Sequence, residues 1–290
     1  MAAIGAVRIP DEVRAVVQAE PGEPAPAQLW RARWQQVVEL LLIVEVDDAA
    51  VAMPIMLDDR HADAQTLVLA PGQTSLAVTL TVWIDLVRRL PLYVLDRHVG
   101  MVTVDVSRAN WETAAIAAGA RYGSDPVSRA DRRHEIRAGL DDAMDVFATA
   151  TWTPAGTGEL ARLLASAAIG VQQLADTLDI TPQRALALRR GQVPASDREA
   201  AVLAPILGLS HQAVLEANPP PPAGLAAQMS RPRRRAQVVR LARRRGITEH
   251  SAWLAATYAV NAQAARQTGQ SREPAWEERI DRYFQVALGD

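Results

Sequence analysis

Short apolar runs dominate the first third of the chain, and helical periodicity takes over after residue 105. The runs Val37–Val46, Ala50–Leu57, Thr66–Leu69, Leu76–Leu80 and Leu92–Leu95 follow a Pro-rich stretch, Pro21-Gly22-Glu23-Pro24-Ala25-Pro26. Turn-forming pairs such as Asp47-Asp48 and Pro71-Gly72 separate them, which is the signature of short strands. Several strands at this spacing predict a small β-barrel over residues 1–105.

Residues 106–158 predict a covering helical pair, with an Ala-rich stretch at Trp111–Ala120 and a charged one at Ser128–Asp145, interrupted by Gly123 and Pro126. Thr153-Pro154-Ala155-Gly156-Thr157-Gly158 then predicts a linker, because Pro and Gly together oppose regular structure. Beyond it, Leu160, Leu163 and Leu164 start one amphipathic helix. Val171, Leu174, Ala175 and Leu178 form the inner face of a second, and Ala185 and Leu188 that of a third. Thr181 followed by Pro182 is an N-cap with Pro at the first helical position. Gly191 closes the third helix, Ser196-Asp197-Arg198-Glu199 is a capping box opening a fourth, Gly208 ends it, and Ser210 caps a fifth that ends near Ala217.

The residues Leu174-Ala175, Leu178, Ile180, Gly191, Pro194 and Leu207-Gly208-Leu209-Ser210 with Leu215 carry a resemblance over residues 159–217. The segment resembles the lambda-repressor-like, or XRE-type, helix-turn-helix domain. The resemblance implies that the third helix enters the major groove of double-stranded DNA, with its first turn at the base edges. Thr181, Gln183, Arg184, Arg189 and Arg190 become the candidate DNA contacts. Gln183 is the best base reader, since its amide suits adenine; Arg184 can reach guanine or a phosphate, and Arg189 and Arg190 suit phosphates. The chain departs from the family at Pro182, Ala187 and Val171, where polar residues are usual, and at Leu188-Arg189-Arg190-Gly191, which lacks the acidic residue often found two before the Gly. Pro205 inside the fourth helix is expected to kink or shorten it. A homodimer is implied by the same resemblance.

The order AQLWRARW, LLLIVEVDDAAVAMPIML, LVRRLPLYVLDRHVG is similar to the small SH3-like barrel of the MazF/PemK toxin family. The family's ribonucleases carry an Arg-Pro pair after the first strand. Here Gln35-Gln36-Val37-Val38 stands in that place, so a related barrel is expected to be catalytically silent.

Charge sharpens the division. The whole chain has 31 basic residues, all Arg, against 33 acids, but residues 1–105 hold 8 Arg against 14 acids and residues 219–290 hold 12 Arg against 6. An acidic front with a basic rear is the pattern expected when one end meets a polyanion. The rear contains SRPRRRAQVVRLARRRG, residues 230–246, with eight Arg and no acid. Arg231, Arg233, Arg234, Arg235, Arg240, Arg243, Arg244 and Arg245 are therefore candidate phosphate contacts. The competing reading is a solvated face paired with Glu277, Glu278 and Asp281. Leu241-Ala242 and Gly246-Ile247-Thr248 also echo the helix-turn-helix spacing, but Arg245 falls on a core position. Trp253, Tyr258, Trp276, Tyr283 and Phe284 supply aromatic mass for a small core or a subunit interface.

Other chemistry finds no support. Cysteine is absent, no Gly-rich phosphate loop or zinc helix is present, and Asp58, Asp59, His61 and Asp63 read as a solvated loop. Asp141, Asp142 and Asp145 read as the wet face of a helix. No apolar run is long enough for a membrane span, and the start of the chain does not read as an export signal, so a cytoplasmic protein is expected. The expected fold class is multidomain α+β: an N-terminal SH3-like barrel (1–105), a helical connector (106–158), a five-helix helix-turn-helix domain (159–218) and a basic helical tail (223–290). The expected function is transcriptional regulation by DNA binding, with the barrel as a module for a partner or ligand, and without enzyme activity, cofactor or metal. A MazF-like endoribonuclease fused to a helix-turn-helix stays open as an alternative, as does an antitoxin-like protein-interaction module that does not bind DNA.

Overall fold

A computed structural model describes residues 22–106, 109–124, 130–150, 156–267 and 275–289. The chain divides into two compact units, Met1–Ala150 and Thr151–Asp290. The export-signal reading of the N-terminus, and the expected roles of Pro126, Ser128 and Thr153–Ala155, lie outside the described residues.

The first unit is an antiparallel sheet. Its strands are β1 (Gln28–Trp34), β2 (Val37–Val46), β3 (Ala49–Met56), β4 (Thr66–Leu69), β5 (Leu80–Trp83), β6 (Arg88–Pro91), β7 (Leu95–Met101) and β8 (Arg121–Tyr122). β1 and β2 form a hairpin with Trp34 opposite Val37, and Gln35 in the intervening turn has a φ of 52°. The Gln35-Gln36 pair is thus a tight turn, whose twist matches that of the flanking strands. β2 and β3 turn at Asp47-Asp48, where Asp47 accepts from the Ala49 N–H (2.8 Å) and both carboxylates meet Arg89 of β6.

The order is β7-β1-β2-β3-β5-β4-β8, with β6 also on β3. The sheet is open and does not close into the expected barrel. The outer edge of β3 serves two partners, β6 along Ala49–Ala52 and β5 at Ile55–Met56, so two strands are used on one edge. Pro54 lies in the gap between them, where a residue without an N–H leaves no ladder bond unmade on that side. β8 has only two residues, and it joins β4 rather than returning to β7.

Two expected strands differ. Leu76–Thr79 precedes β5 as loop, with Ala77 at a φ of 52°, and Leu92–Val94 forms a 3-10 turn from which β7 continues to Met101. Tyr93 is held there by a hydrogen bond from its hydroxyl to the Ala150 carbonyl.

Both helices of the residue 106–150 stretch belong to the sheet unit. α1 (Trp111–Ala117) places Trp111 and Ala115 in the cluster formed by Leu29, Leu42, Ile55, Leu67 and Val82. α2 (Ala130–Ala148) lies across β1, β2 and β6, packing Leu140 on Trp83 and Leu86. Asp141 and Asp145 are not simply wet: both meet the Arg88 guanidinium of β6, at 2.6 and 3.1 Å.

The second unit is all helical. Its helices are α3 (Leu160–Ser166), α4 (Val171–Leu178), α5 (Pro182–Arg189), α6 (Asp197–Leu207), α7 (His211–Glu216), α8 (Ala223–Met229), α9 (Pro232–Arg245), α10 (Glu249–Gln267) and α11 (Trp276–Leu288). Ser196 and Glu199 form the expected capping box, and Gly208 ends α6 at a φ of 65°. α6 continues two residues past Pro205, which lies on its exposed side, so the expected shortening does not occur. Trp253, Tyr258, Tyr283 and Phe284 are buried in the core of the unit, with α10 touching α6 and α7. Among the described residues no helix is long and apolar enough to cross a membrane.

The end of the expected linker is fixed to this core. Thr157 and Gly158 donate backbone N–H bonds to the Glu216 and Asn218 carbonyls, at 2.7 and 2.9 Å. Asn218 is fully buried, and its amide both accepts from and donates to the backbone of Ala195. A Cβ at Gly156 would lie 1.9 Å from the Asn218 carbonyl oxygen and 2.5 Å from the Tyr258 hydroxyl. Gly156→Ala is therefore expected to destabilise the helical unit by roughly 3 kcal/mol, as overpacking against backbone does. Urea unfolding followed by circular dichroism at the helical band measures this, and an unchanged midpoint would remove Gly156 from the anchor.

Candidate nucleic-acid interface

The α4 and α5 helices meet at a corner made by Asp179, Ile180 and Thr181. Asp179 ends α4 in the left-handed region, φ 55° and ψ 49°, where Asp is better tolerated than most residues. The Ile180 N–H then returns to the Ala175 carbonyl (3.1 Å). Thr181 follows as the N-cap of α5, its hydroxyl accepting from the Arg184 N–H, with Pro182 at the first helical position. Ala175 is nearly fully buried at the crossing, and Leu174, Leu178, Ala185 and Leu188 complete the contact, whereas Val171, expected on the same inner face, is only half-buried at the start of α4.

The outward side of α5 is the reverse of that core. Thr181, Pro182, Gln183, Leu186 and Arg190 are exposed and Arg189 is half-buried. At about 3.6 residues per turn, Leu186 stands at the centre of this face. Gln183 and Arg190 lie on one flank of it, Pro182 and Arg189 on the other. No ion pair to Arg189 or Arg190 exists among the described residues. α4 turns Gln172, Gln173 and Asp176 to solvent beside it, Gln172 donating to Asp176 (2.9 Å).

Arg184 does not join that face. Its Nε and Nη2 donate to the two carboxylate oxygens of Glu199 at 2.7 and 2.8 Å, and Nη2 also reaches the Pro194 carbonyl at 3.3 Å. Glu199 lies on the first turn of α6 and its side chain is only 7% exposed. Burial pushes the Glu199 carboxyl up, but the Arg184 guanidinium and the Ser196 backbone N–H outweigh it and hold the group below its ordinary value. The reader expected at Arg184 is thus a clamp between α5 and α6. Its position faces the core side of the helix, and a capping-box glutamate lies within reach.

The Arg-rich segment divides in the same way. Arg234 is 2% exposed, its guanidinium bound to Asp281 of α11 and donating to Gln237 at 3.1 Å. Arg235 is as deeply buried and donates from Nε to Glu249 at 2.7 Å. These two are correctly read neither as phosphate contacts nor as a solvated face. The Arg234 guanidinium, with Arg233 at 3.5 Å, also holds the Asp281 carboxyl below its ordinary value. Arg244 donates to the Leu288 carbonyl. Arg233, Arg240, Arg243, Arg244 and Arg245 keep exposed side chains on α9, and Arg231 is half-buried at its N-cap. Of the acids expected opposite this segment, Asp281 is engaged, by Arg233 and Arg234.

A search of the sequence for polar readers alone misses Leu186. The signal is present in the spacing, because Leu186 falls nearly opposite Leu188 on a helical wheel and beside Gln183 and Arg190. In the first unit, Asp59 pairs with Arg121 at 2.5 Å and Asp63 lies 3.8 Å from Arg137, and the described residues hold no cluster suited to a metal ion. Comparison with known protein families, curated proteins and solved structures yields no match.

The clamp predicts a pH-dependent stability. A carboxylate held below its ordinary value stabilises the fold above its unfolded pKa, about 4.3, and loses that contribution as pH falls through the folded value. Glu199→Gln should cost about 2 kcal/mol at pH 7, the exposure of Arg184 reducing it from the fully buried case. The difference from wild type should shrink in urea titrations taken stepwise below pH 4.5. A difference that stays constant down to acid pH would assign the cost to altered packing and not to the charge of Glu199.

Proposed function

We propose that the protein is a DNA-binding transcriptional regulator whose α4–turn–α5 segment acts as an XRE-type helix-turn-helix. The observation that carries this reading is the outward face of α5. The inner side of α5 is packed at the corner, and among the described residues no hydrogen bond or ion pair engages the side chains of Gln183 or Arg190, while arginines stand at its C-terminal end. An α-helix such as α5, about 10–12 Å across with its side chains, fits the major groove, which is about 12 Å wide.

In this arrangement Gln183 reads a base edge, and Arg189 and Arg190 neutralise phosphates where the groove wall rises. Thr181 reaches a phosphate from the helix start, although its hydroxyl already accepts the Arg184 N–H. The exposed arginines of α9 add sequence-independent affinity through counterion release. Arg184, Arg234 and Arg235 are excluded from the contact set by their intramolecular pairs. Action as a homodimer on paired half-sites belongs to this proposal, as do residence in the cytoplasm and service of the acidic sheet unit as a module for a partner.

Fluorescence anisotropy on duplexes enriched from a random library tests it. Arg190→Ala should weaken binding to all duplexes alike and lower the salt slope by about one. Gln183→Ala should instead narrow the gap between enriched and scrambled duplexes by about ten-fold. Arg184→Ala should alter thermal stability more than sequence preference. Absence of any duplex binding by the full chain at low salt would overturn the proposal.

A further inference from the structure

Resting on the proposed DNA reading, we infer that Leu186 is the specificity-determining residue of α5 and that it selects a thymine methyl group beside an adenine read by Gln183. A groove-entering helix places the centre of its outward face deepest, and Leu186 occupies that centre. The residue is 36% exposed, halfway along the helix and turned away from Leu188. An apolar side chain at that depth finds one apolar feature on the major-groove base edges, the C5-methyl of thymine. Against a guanine or cytosine edge it would desolvate polar atoms without pairing them, which disfavours those bases.

The neighbours narrow the choice further. Gln183 lies one turn before Leu186 on the same side, within reach of an adjacent base pair, and its amide matches the N6 and N7 positions of adenine. Arg184, the one side chain in the first turn of α5 suited to guanine, is held by Glu199 at 2.7 and 2.8 Å. Pro182 offers no donor from either side chain or backbone. The first two turns of α5 therefore present one amide and one apolar group to the bases, a set that favours an A·T step over G·C.

The test is a selection of random duplexes by the full-length protein, followed by anisotropy on the enriched duplex with each thymine replaced in turn by deoxyuridine. This replacement removes the methyl alone. Loss of one buried methyl is expected to weaken binding about four-fold at a single thymine per half-site. Leu186→Ala, a surface change that leaves the core intact, should bind the thymine and deoxyuridine duplexes equally. Enrichment of a duplex whose affinity is unchanged at every deoxyuridine overturns the Leu186 assignment and leaves DNA binding standing. Failure to enrich any duplex, with no binding at low salt, overturns the proposed function and this inference together.

Discussion

The Arg184–Glu199 ion pair is the constraint around which the helical unit is arranged. Glu199 meets two obligations at one carboxylate, closing the capping box of α6 through the Ser196 N–H and receiving the guanidinium of α5. It thereby fixes the start of one helix to the first turn of another. A side chain this buried is tolerable as an anion only when its oxygens are saturated with donors, and here three donors converge on them. The pair also determines rotation: with Arg184 turned inward, Leu186 and Gln183 turn outward. What α5 offers to a partner follows from how α5 is secured.

Tethering of the same kind recurs in the tail. An Arg-rich helix with eight like charges nearby repels itself unless some of them are neutralised. Arg234 and Arg235 are neutralised by acids from α11 and α10, one on each neighbouring helix. Both arginines are nearly fully buried, in a unit whose core also contains Trp253, Tyr283 and Phe284. Thus part of the positive charge that looks like a polyanion signal in the sequence holds three helices together. Arg233, Arg240, Arg243, Arg244 and Arg245 keep their side chains exposed, Arg233 also lying 3.5 Å from Asp281.

Local signals are the legible ones. Thr181-Pro182, the Ser196–Glu199 box, Gly208 and Ser210 each specify a helix end through bonds made within four residues, and all four are found where the sequence places them. The inner faces of α4 and α5 follow from apolar spacing in the same way. Long-range pairings are not legible. Nothing near Arg184 in sequence indicates Glu199, and nothing near Arg234 indicates Asp281, which is 47 residues away. The expectation of a closed barrel fails for the same reason: strand existence is a local property, but the sharing of one β3 edge by β5 and β6 is decided by where two distant segments land. The linker at Gly156–Gly158 reads as free because Gly and Pro oppose helices and strands, yet the same small residue permits close approach to Asn218.

Withdrawal of three arginines into ion pairs changes the balance between affinity and discrimination on the proposed reading. Each arginine withdrawn into an ion pair removes a phosphate contact, and with it counterion release that would act on any duplex. Sequence-blind binding is weakened, whereas the amide of Gln183 and the apolar head of Leu186 are unaffected. A short helix with one polar and one apolar reader nevertheless discriminates only a few base pairs. Two such helices on paired half-sites would multiply that discrimination, which is why the dimer belongs to the same proposal as the groove contact. The acidic balance of the first unit acts in the same sense, since a domain carrying net negative charge resists non-specific approach to DNA and leaves the encounter to the helical unit.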